Sequence, residues 1–306
     1  MTVAAQERMA TTALELSKPK GLLRETVRRI WANNGAKIGF FILVLFLLLA
    51  IVAPLLIPYN PKIDSNLAER LRSPSRLHPL GTDDLGRDEL RRIIYGARIS
   101  LRVGLVAVSI GATIGTALGL ITGYWGGVKL LGFTVDAIVM RFIDVMLAFP
   151  GILLAIAVVA MLGPSLDHTM LVIGFLSIPG YTRVMRSVVL SVAERDFILA
   201  ARALGARDVR LMLRHILPNC LSPLIIQATL GIAGAILTAA GLGFLGLGAV
   251  PPTPEWGAMI SDSLKYLAQS PYLIFFPGLA VMLTVMAFNL LGDGLRDALD
   301  PQVLHR

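Results

Sequence analysis

The sequence predicts an all-α polytopic membrane protein, and three observations support this fold class. Of the 306 residues, 55% are apolar and only 16% are charged, whereas soluble domains carry about 25% charged residues. The mean hydropathy is +0.73. The apolar residues also lie in long runs without a charge, as membrane-spanning helices require. Together these features exclude a disordered chain and an ordinary soluble globule.

Five runs without Asp, Glu, Lys or Arg are long enough to cross a bilayer, which takes about 20 apolar residues; they are 38–61, 103–128, 145–166, 215–254 and 266–292. A weaker sixth candidate lies at about 168–190 and includes Arg183 and Arg186. By the positive-inside rule, the basic segments 1–37 and 183–215 are both cytoplasmic. An even number of crossings must separate them, which requires the sixth candidate. We therefore predict six transmembrane helices with both termini cytoplasmic.

These spans divide the chain into five segments. A cytoplasmic tail 1–36 is followed by a first transmembrane helix 37–60 and an extracytoplasmic loop 61–98. A core 99–293 then holds five transmembrane helices and a cytoplasmic loop 191–218, and a cytoplasmic tail 294–306 follows. The extracytoplasmic loop is rich in Lys and Arg, although long loops obey the charge rule less strictly. Within it, apolar residues from Leu90 to Leu101 recur at helical spacing. This pattern predicts an amphipathic helix at the membrane surface, as part of a cap on the helix bundle.

The second span has a small residue at every fourth position, namely Ala107, Gly111, Gly115, Gly119 and Gly123. This spacing places all five residues on one helix face. Small residues at this spacing let the backbones of two membrane helices approach closely. The pattern predicts either a tight static contact or a surface on which helices slide during a conformational cycle.

Charged residues stand at the start of the third span. Asp144 follows Arg141 by three residues, which is the spacing of an ion pair on one helix face, and Asp136 lies further towards the N-terminus. A functional role is the alternative interpretation, because charged groups at membrane depth are costly. Pro150 is expected to kink this helix.

The sequence shows no motif for catalysis or for metal binding. It has one cysteine and four scattered histidines, without the Gly-x-x-x-x-Gly-Lys-Ser/Thr loop that cradles phosphates or the Gly-x-Ser-x-Gly motif of hydrolases. An ion-coupled carrier would need an ionisable residue near the middle of a span, and the sequence places none there. We therefore predict no catalytic residue, no metal and no cofactor bound by this chain.

The loop between the fourth and fifth spans has the pattern of a helix, a break and a second helix. Gly205 suits a left-handed helix end, Asp208 suits an N-cap, and Pro218 is expected to end or kink the second helix. The first helix carries an apolar face, flanked by Arg202, that consists of Phe197, Ala200, Ala201 and Leu204. Such a face either docks into a groove of a partner protein or lies against lipid headgroups.

The motif Ala200-Ala201-x-x-x-Gly205, followed by Ile216-Leu217-Pro218, resembles the signature loop of binding-protein-dependent ABC importer permeases. Three more stretches resemble the C-type subunit of the dipeptide/oligopeptide/nickel group in that family: His78-Pro-Leu-Gly-Thr-Asp-x-x-Gly-Arg-Asp88, Arg141-x-x-Asp144 with Ala148-Phe149-Pro150, and Phe244-Leu-Gly-Leu-Gly248 with Pro251-Pro-x-Pro-Glu-Trp-Gly257. Together they cover about residues 35–300. The chain departs from the signature at Leu199, which replaces a Glu, and at His215, which replaces an Ile.

The resemblance implies the type I ABC importer permease fold and a multi-pass permease subunit, in a prokaryotic inner membrane, that moves di- or oligopeptides. The implied partners are a homologous second permease in a heterodimer, two ATP-binding subunits that hold the ATP and Mg, an extracytoplasmic solute-binding protein, and membrane lipid, with no nucleic acid. Nickel chelates, glutathione or another small solute are alternative cargoes. A self-sufficient secondary transporter is the alternative mechanism.

The resemblance also implies two sets of contact residues. Coupling to the ATP-hydrolysing subunits is expected from the loop residues Phe197, Ala200, Ala201, Arg202, Leu204, Gly205, Asp208 and Pro218. Contact with the extracytoplasmic binding protein is expected from Thr82, Asp83, Arg87, Asp88, Glu255 and Trp256.

Overall fold

Long helices dominate the structure, a computed structural model that describes residues 22–56, 59–60, 64–130 and 132–299. The helices are α1 (Leu22–Ala32), α2 (Asn34–Leu56), α3 (Glu89–Trp125), α4 (Val135–Leu147), α5 (Gly151–Leu162), α6 (Leu166–Ala193), α7 (Asp196–Ala203), α8 (Asp208–Arg210), α9 (Leu217–Asn219), α10 (Leu221–Phe244), α11 (Trp256–Ser263) and α12 (Tyr272–Leu299). A π-helix, Leu211–Ile216, separates α8 from α9. The antiparallel strands β1 (Lys129–Leu130) and β2 (Phe133–Thr134) join α3 to α4. Most of the two predicted tails lies outside the described residues, and the predicted tail 294–306 begins inside α12.

Four helices, α2, α3, α10 and α12, are long and apolar enough to cross a membrane. The bent pair α4 and α5 makes a fifth span if it is treated as one broken helix. The predicted sixth span corresponds to α6, whose 28 residues extend about 42 Å at 1.5 Å per residue. That length exceeds the roughly 30 Å of a hydrocarbon core, although α6 contains Arg183 and Arg186.

The glycine ladder of α3 packs directly on α6. A Cβ atom at Gly111 would lie 2.1 Å from Ser177 Oγ, and one at Gly119 would lie 2.6 Å from Met185 Cβ. Gly115 meets Tyr181 in the same way. The residue numbers of the contacting positions increase together in both helices, so α3 and α6 run parallel. The segment α4–α5 between them must therefore return to the end at which α3 begins. The ladder is therefore a close backbone contact between two helices that run in the same direction.

Helix α2 packs antiparallel to α12. Gly39 of α2 abuts the carbonyl oxygen of Ala287 in α12, while Ala36 abuts Gly294. The Asn33 side chain, just before α2, donates a hydrogen bond to Asp297 near the end of α12. The start of α2 and the end of α12 therefore lie at the same end of the bundle. The location of that end in the cytoplasm stays a prediction.

The structure corrects the expected amphipathic surface helix. Residues Leu90 to Leu101 are not a separate helix but the first turns of α3, which continues without a break to Trp125. Their apolar stripe, including Ile93 and Ala97, is buried in a core cluster with Trp256. Gly96 makes this possible, because a Cβ there would lie 2.5 Å from the indole nitrogen of Trp256. The stripe thus packs inside the bundle rather than against lipid.

The predicted third span is broken. Helix α4 ends at Leu147, Pro150 precedes the first residue of α5, and the two axes differ by 84°. The position of the break confirms the expected effect of Pro150, whose ring cannot continue a helix. The break also limits α5 to 12 residues, so no single helix follows the predicted run 145–166.

The ion pairs at this break differ from the predicted one. Asp144 pairs with Arg183 of α6 at 2.6 Å, and Asp136 pairs with Arg186 at 2.5 Å. The expected partner Arg141 shares a helix with both acids, but helix packing brings the α6 guanidinium groups to them instead. These charges therefore join α4 to α6.

We predict that Gly115→Ala lowers the free energy of unfolding by about 1–3 kcal/mol, because the new methyl group overpacks the α3–α6 contact. The matched control is Gly234→Ala, since a Cβ at Gly234 meets nothing within 4 Å and alanine favours the helix by up to about 1 kcal/mol. Denaturant titration of both purified variants in detergent micelles measures the difference. Equal stability of the two variants would contradict the packing role of the ladder.

Candidate functional site

The loop between α6 and α10 turns sharply at Gly205. Helix α7 ends at Ala203, and Gly205 has φ of +83°, a left-handed conformation that glycine adopts without steric penalty. The Gly205 amide donates to the carbonyl oxygen of Arg202 at 2.9 Å, and the Ala206 amide donates to that of Ala201 at 3.1 Å. These bonds satisfy carbonyl groups at the end of α7. The expected left-handed helix end at Gly205 is confirmed.

Helix α7 is fastened by one side and exposed on the other. Ile198 is fully buried in the core cluster that includes residues of α3 and α6. Leu204 is 89% exposed, Phe197 is 42% exposed, and Ala200 is exposed beside them. Within the described part of the chain, nothing covers this apolar face. The loop therefore presents a short, anchored helix whose apolar side chains are available to a partner.

Asp208 has a different role from the expected N-cap. It is the first residue of α8, and the N-cap position falls on Arg207. The Asp208 carboxylate instead accepts a hydrogen bond from the Tyr124 hydroxyl at 2.7 Å. Arg202 also donates to that hydroxyl, at 3.2 Å, and its guanidinium lies 5.9 Å from the centre of the Tyr124 ring. The carboxylate is thus engaged by a residue of α3 rather than by its own helix.

Pro218 begins a helical turn instead of ending a helix. The π-helix buries Leu211, Met212 and Ile216, and Pro218 then occupies the first turn of α9. A missing backbone N–H removes no helical bond at such a position. The backbone therefore continues into α10 through Cys220, and Pro218 itself is exposed. His215 is half-buried next to it on the π-helix.

At the opposite end of the bundle, the residues expected to face a binding protein are mostly buried. Asp83 is 2% exposed, and its carboxylate pairs with the Arg87 Nε at 2.6 Å and also contacts Arg92. Thr82 is buried as well, and Tyr272 of α12 packs against this turn. The structure therefore corrects the expectation, because these side chains bind one another and are closed to a partner.

Glu255 and Trp256 are also interior residues. The Trp256 indole donates to the carbonyl oxygen of Ile93 at 3.0 Å. The Glu255 carboxylate caps α11 by accepting from the amides of Gly257 at 2.9 Å and Ala258 at 2.8 Å. Burial raises the pKa of Glu255, while the two amide donors act in the opposite direction. Trp256 holds α11 against the start of α3, and Glu255 caps α11 beside Gly243 of α10.

Asp88 is partly buried and caps α3. Its carboxylate accepts from the Arg91 amide at 3.0 Å and contacts His78 Nδ1 at 2.8 Å. The other nitrogen of His78 lies 3.3 Å from Glu69. The exposed residues around this network are mixed: Leu77 is 81% exposed and Leu67 is exposed, but so are Arg70, Arg72 and Arg76.

Among the described residues, no group of three or more His, Cys, Asp or Glu side chains is arranged to hold a metal ion. The prediction that this chain binds no metal or cofactor stays a prediction. Tyr124 belongs to no sequence motif that marks it as a site residue, because its partner Asp208 lies 84 residues away. Its one local signal was an aromatic pair at the end of a membrane span, which is typical of the interface.

The profile of the family described as binding-protein-dependent transport system inner membrane component matches residues 115–305. A second profile, the N-terminal TM domain of oligopeptide transport permease C, matches residues 21–77. The dipeptide transport system permease protein DppC of Alkalihalophilus pseudofirmus is 49% identical over 280 residues, which cover 92% of this chain and 90% of the relative. The DppC protein of Escherichia coli is 49% identical over 278 residues, covering 89% of this chain and 90% of the relative. The glutathione transport system permease protein GsiD of Pectobacterium atrosepticum is 43% identical, covering 92% and 91%.

The fold also matches a solved structure. One chain of the MetNI methionine ABC transporter in an inward-facing conformation superimposes with a TM-score of 0.56 at 18% sequence identity. The match covers 69% of this chain and 98% of that chain. At this identity the likeness shows the fold, and the expected type I importer permease fold is confirmed.

We predict that Asp83→Asn lowers the free energy of unfolding by about 3–5 kcal/mol, because two buried guanidinium groups lose their shared carboxylate. The control is the neighbouring Asp84→Asn, since Asp84 pairs with the exposed Lys265 at 3.4 Å and such a pair contributes less than about 1 kcal/mol. Thermal and denaturant unfolding in detergent micelles compare the two variants. A loss for Asp83→Asn no larger than that of the control would contradict the structural role of the buried network.

Proposed function

The chain belongs to the family of binding-protein-dependent transport system inner membrane components, and we propose that it moves di- or oligopeptides across the membrane as one of two permeases in an ATP-driven importer. Its role as a permease subunit and its place in the inner membrane follow from family membership. The identity of the cargo and the identity of the partner subunits are what we propose.

Energy for transport is expected to come from separate ATP-binding subunits that hold ATP and Mg. The sequence has no phosphate-binding loop of its own. The observation that carries this proposal is the anchored helix α7, whose exposed Phe197 and Leu204 have no cover in the described part of the chain. Apolar side chains of a short helix gain free energy by entering a groove of a partner. The left-handed turn at Gly205 ends the helix, and the chain after it leaves the exposed apolar face uncovered.

A second, homologous permease and an extracytoplasmic binding protein complete the proposed complex. The broken helix α4–α5 supports a neighbouring permease, because irregular backbone at membrane depth must be covered by protein or line a water-filled path. The binding protein is expected at the outer end, where Leu67 and Leu77 are exposed over the buried network of Asp83.

Dipeptides are the proposed cargo class because the relatives at 49% identity are named dipeptide permeases. Glutathione is the second candidate, since a relative at 43% identity is a glutathione transport permease. Glutathione is itself a peptide-like solute, so both relatives point to the same chemical class. Nickel chelates and other small solutes remain alternatives that a substrate panel separates.

We predict that Ala201→Asp weakens association with the ATP-binding subunits by at least about tenfold, because an unpaired carboxylate enters an apolar contact. The matched control is Ala32→Asp, which places the same charge at an exposed position before α2, outside the loop. Co-purification of the co-expressed subunits and ATP-dependent uptake of a radiolabelled dipeptide are the two measurements.

Gly205→Val is the second variant of this experiment. A β-branched residue at φ of +83° is strained by about 1–2 kcal/mol, so the turn should distort while the α7 face keeps its side chains. Normal assembly and uptake in both Ala201→Asp and Gly205→Val would contradict docking through this loop. Coupled ATP hydrolysis without dipeptide uptake in the unmodified complex would contradict the cargo alone. Uptake without the ATP-binding subunits would identify a secondary transporter.

A further inference from the structure

Besides the buried Ile198, one side chain of α3 connects the proposed docking helix α7 and the turn after it to the bundle. Tyr124, at the C-terminal end of α3, contacts residues on both sides of the Gly205 turn. Its hydroxyl donates to Asp208 at 2.7 Å and accepts from Arg202 at 3.2 Å. Its ring also lies beside the Arg202 guanidinium, 5.9 Å from ring centre to carbon. The turn is therefore clamped on both flanks to the same helix.

The charged groups and the hydroxyl group in this contact can hold the Gly205 turn to α3. Arg202 carries a positive charge and Asp208 a negative charge, and the hydroxyl between them satisfies both by donating to one and accepting from the other. Hydrogen bonds with a charged partner are about twice as strong as neutral ones. Both bonds are exposed, so each is weaker than it would be in the low dielectric of a buried network.

The other end of this connection is rigid. Tyr124 directly follows Gly123, the last step of the glycine ladder, and a Cβ at Gly123 would lie 2.7 Å from Val189 of α6. The backbones of α3 and α6 are therefore in close contact at this level. We expect a displacement of α3 at Tyr124 to reach α6 through this contact.

An irregular helix lies on the other side of the Gly205 turn from α7. The π-helix Leu211–Ile216 follows the turn and leads into α10. Such segments are rare and often lie at functional sites, because their wider hydrogen-bonding pattern interrupts the regular helix. The turn is therefore held firmly towards α3 and connected through an irregular helix towards α10.

We propose that Tyr124 is a positioning residue that transmits movement of α7 to the α3–α6 pair. This inference rests on the docking role proposed for α7. When the ATP-binding subunits displace α7, the hydroxyl and ring of Tyr124 carry the displacement to α3, and the glycine ladder carries it to α6. Without this connection, α7 keeps its link to the bundle through Ile198 but loses its hydrogen-bonded link to α3.

The experiment uses the complete complex in proteoliposomes and compares Tyr124→Phe with Thr122→Val. Each variant removes one hydroxyl group from the same end of α3. The Thr122 hydroxyl, however, bonds only within its own helix, to the carbonyl oxygens of Leu118 and Gly119. Tyr124→Phe should assemble and hydrolyse ATP as the unmodified complex does, while dipeptides moved per ATP fall by about threefold to tenfold, the range that one lost hydrogen bond represents. Thr122→Val should keep the unmodified ratio.

A double-mutant cycle tests whether the effect passes through Asp208. Asp208→Ala should lower the ratio of transport to hydrolysis in the same way, and the double variant should be no worse than the more severe single variant. Independent, additive losses would overturn the assignment. So would an unchanged ratio in Tyr124→Phe, or loss of subunit association in that variant, because the latter places Tyr124 in the docking surface itself.

A second measurement does not depend on the cargo. Spin labels on Gly127→Cys, beyond the end of α3, and on Arg210→Cys in α8 report the distance across the connection, in a Cys220→Ser background. The distance should stay constant between nucleotide-free and vanadate-trapped complexes, and it should shift or broaden in Tyr124→Phe. A distance that changes equally in both proteins overturns the inference. Failure of docking itself shows separately, as normal assembly and uptake in Ala201→Asp.

Discussion

The close approach of α3 and α6 is the constraint on which the rest of the structure depends. Two helices can pack backbone to backbone only where side chains are absent, and the ladder from Gly111 to Gly123 removes them at four successive turns. Since water is absent from the bilayer core, such packing has to replace the hydrophobic effect as the force between helices. In this contact the two helices run parallel. That direction in turn forces the broken segment α4–α5 to return between them.

The two ends of the bundle are built from opposite kinds of chemistry. At the end opposite the α7 loop, Asp83 and two arginines form a buried ion network, and Trp256 of α11 donates to the carbonyl oxygen of Ile93 in α3. Charges buried in this way are stable only while all partners are present, so this end is a rigid cap. At the loop end, apolar residues such as Leu204 face outward and charged residues hold the turn. We propose that a partner covers this surface.

Charged residues near the membrane also serve the packing. Arg183 and Arg186 made the fourth span the weakest in the sequence, because charged side chains are rare within spans. In the structure they reach Asp144 and Asp136 of α4. Each charge therefore has a partner on a neighbouring helix, and the pairs fasten the broken third segment to α6.

The sequence by itself determined the helical membrane fold, the family and the local geometry at Gly205 and Pro150. Each of these depends on near neighbours along the chain: apolar runs, a motif at fixed spacing, a residue without a Cβ, and a residue without an N–H. The site at the loop was predictable to the same extent, since α7 and its exposed apolar face follow from helical spacing.

Only the tertiary structure decided which partner each polar group has and which side chains are buried. The spacing of Arg141 and Asp144 suggested an ion pair that helix packing replaced with Arg183. The motif around Asp83 suggested an outward surface, yet its residues are buried against one another. Tyr124 and Asp208 meet although 84 residues separate them. The physical reason is the same in each case: burial and pairing are set by helices that approach from distant parts of the chain, and no local pattern contains their arrangement.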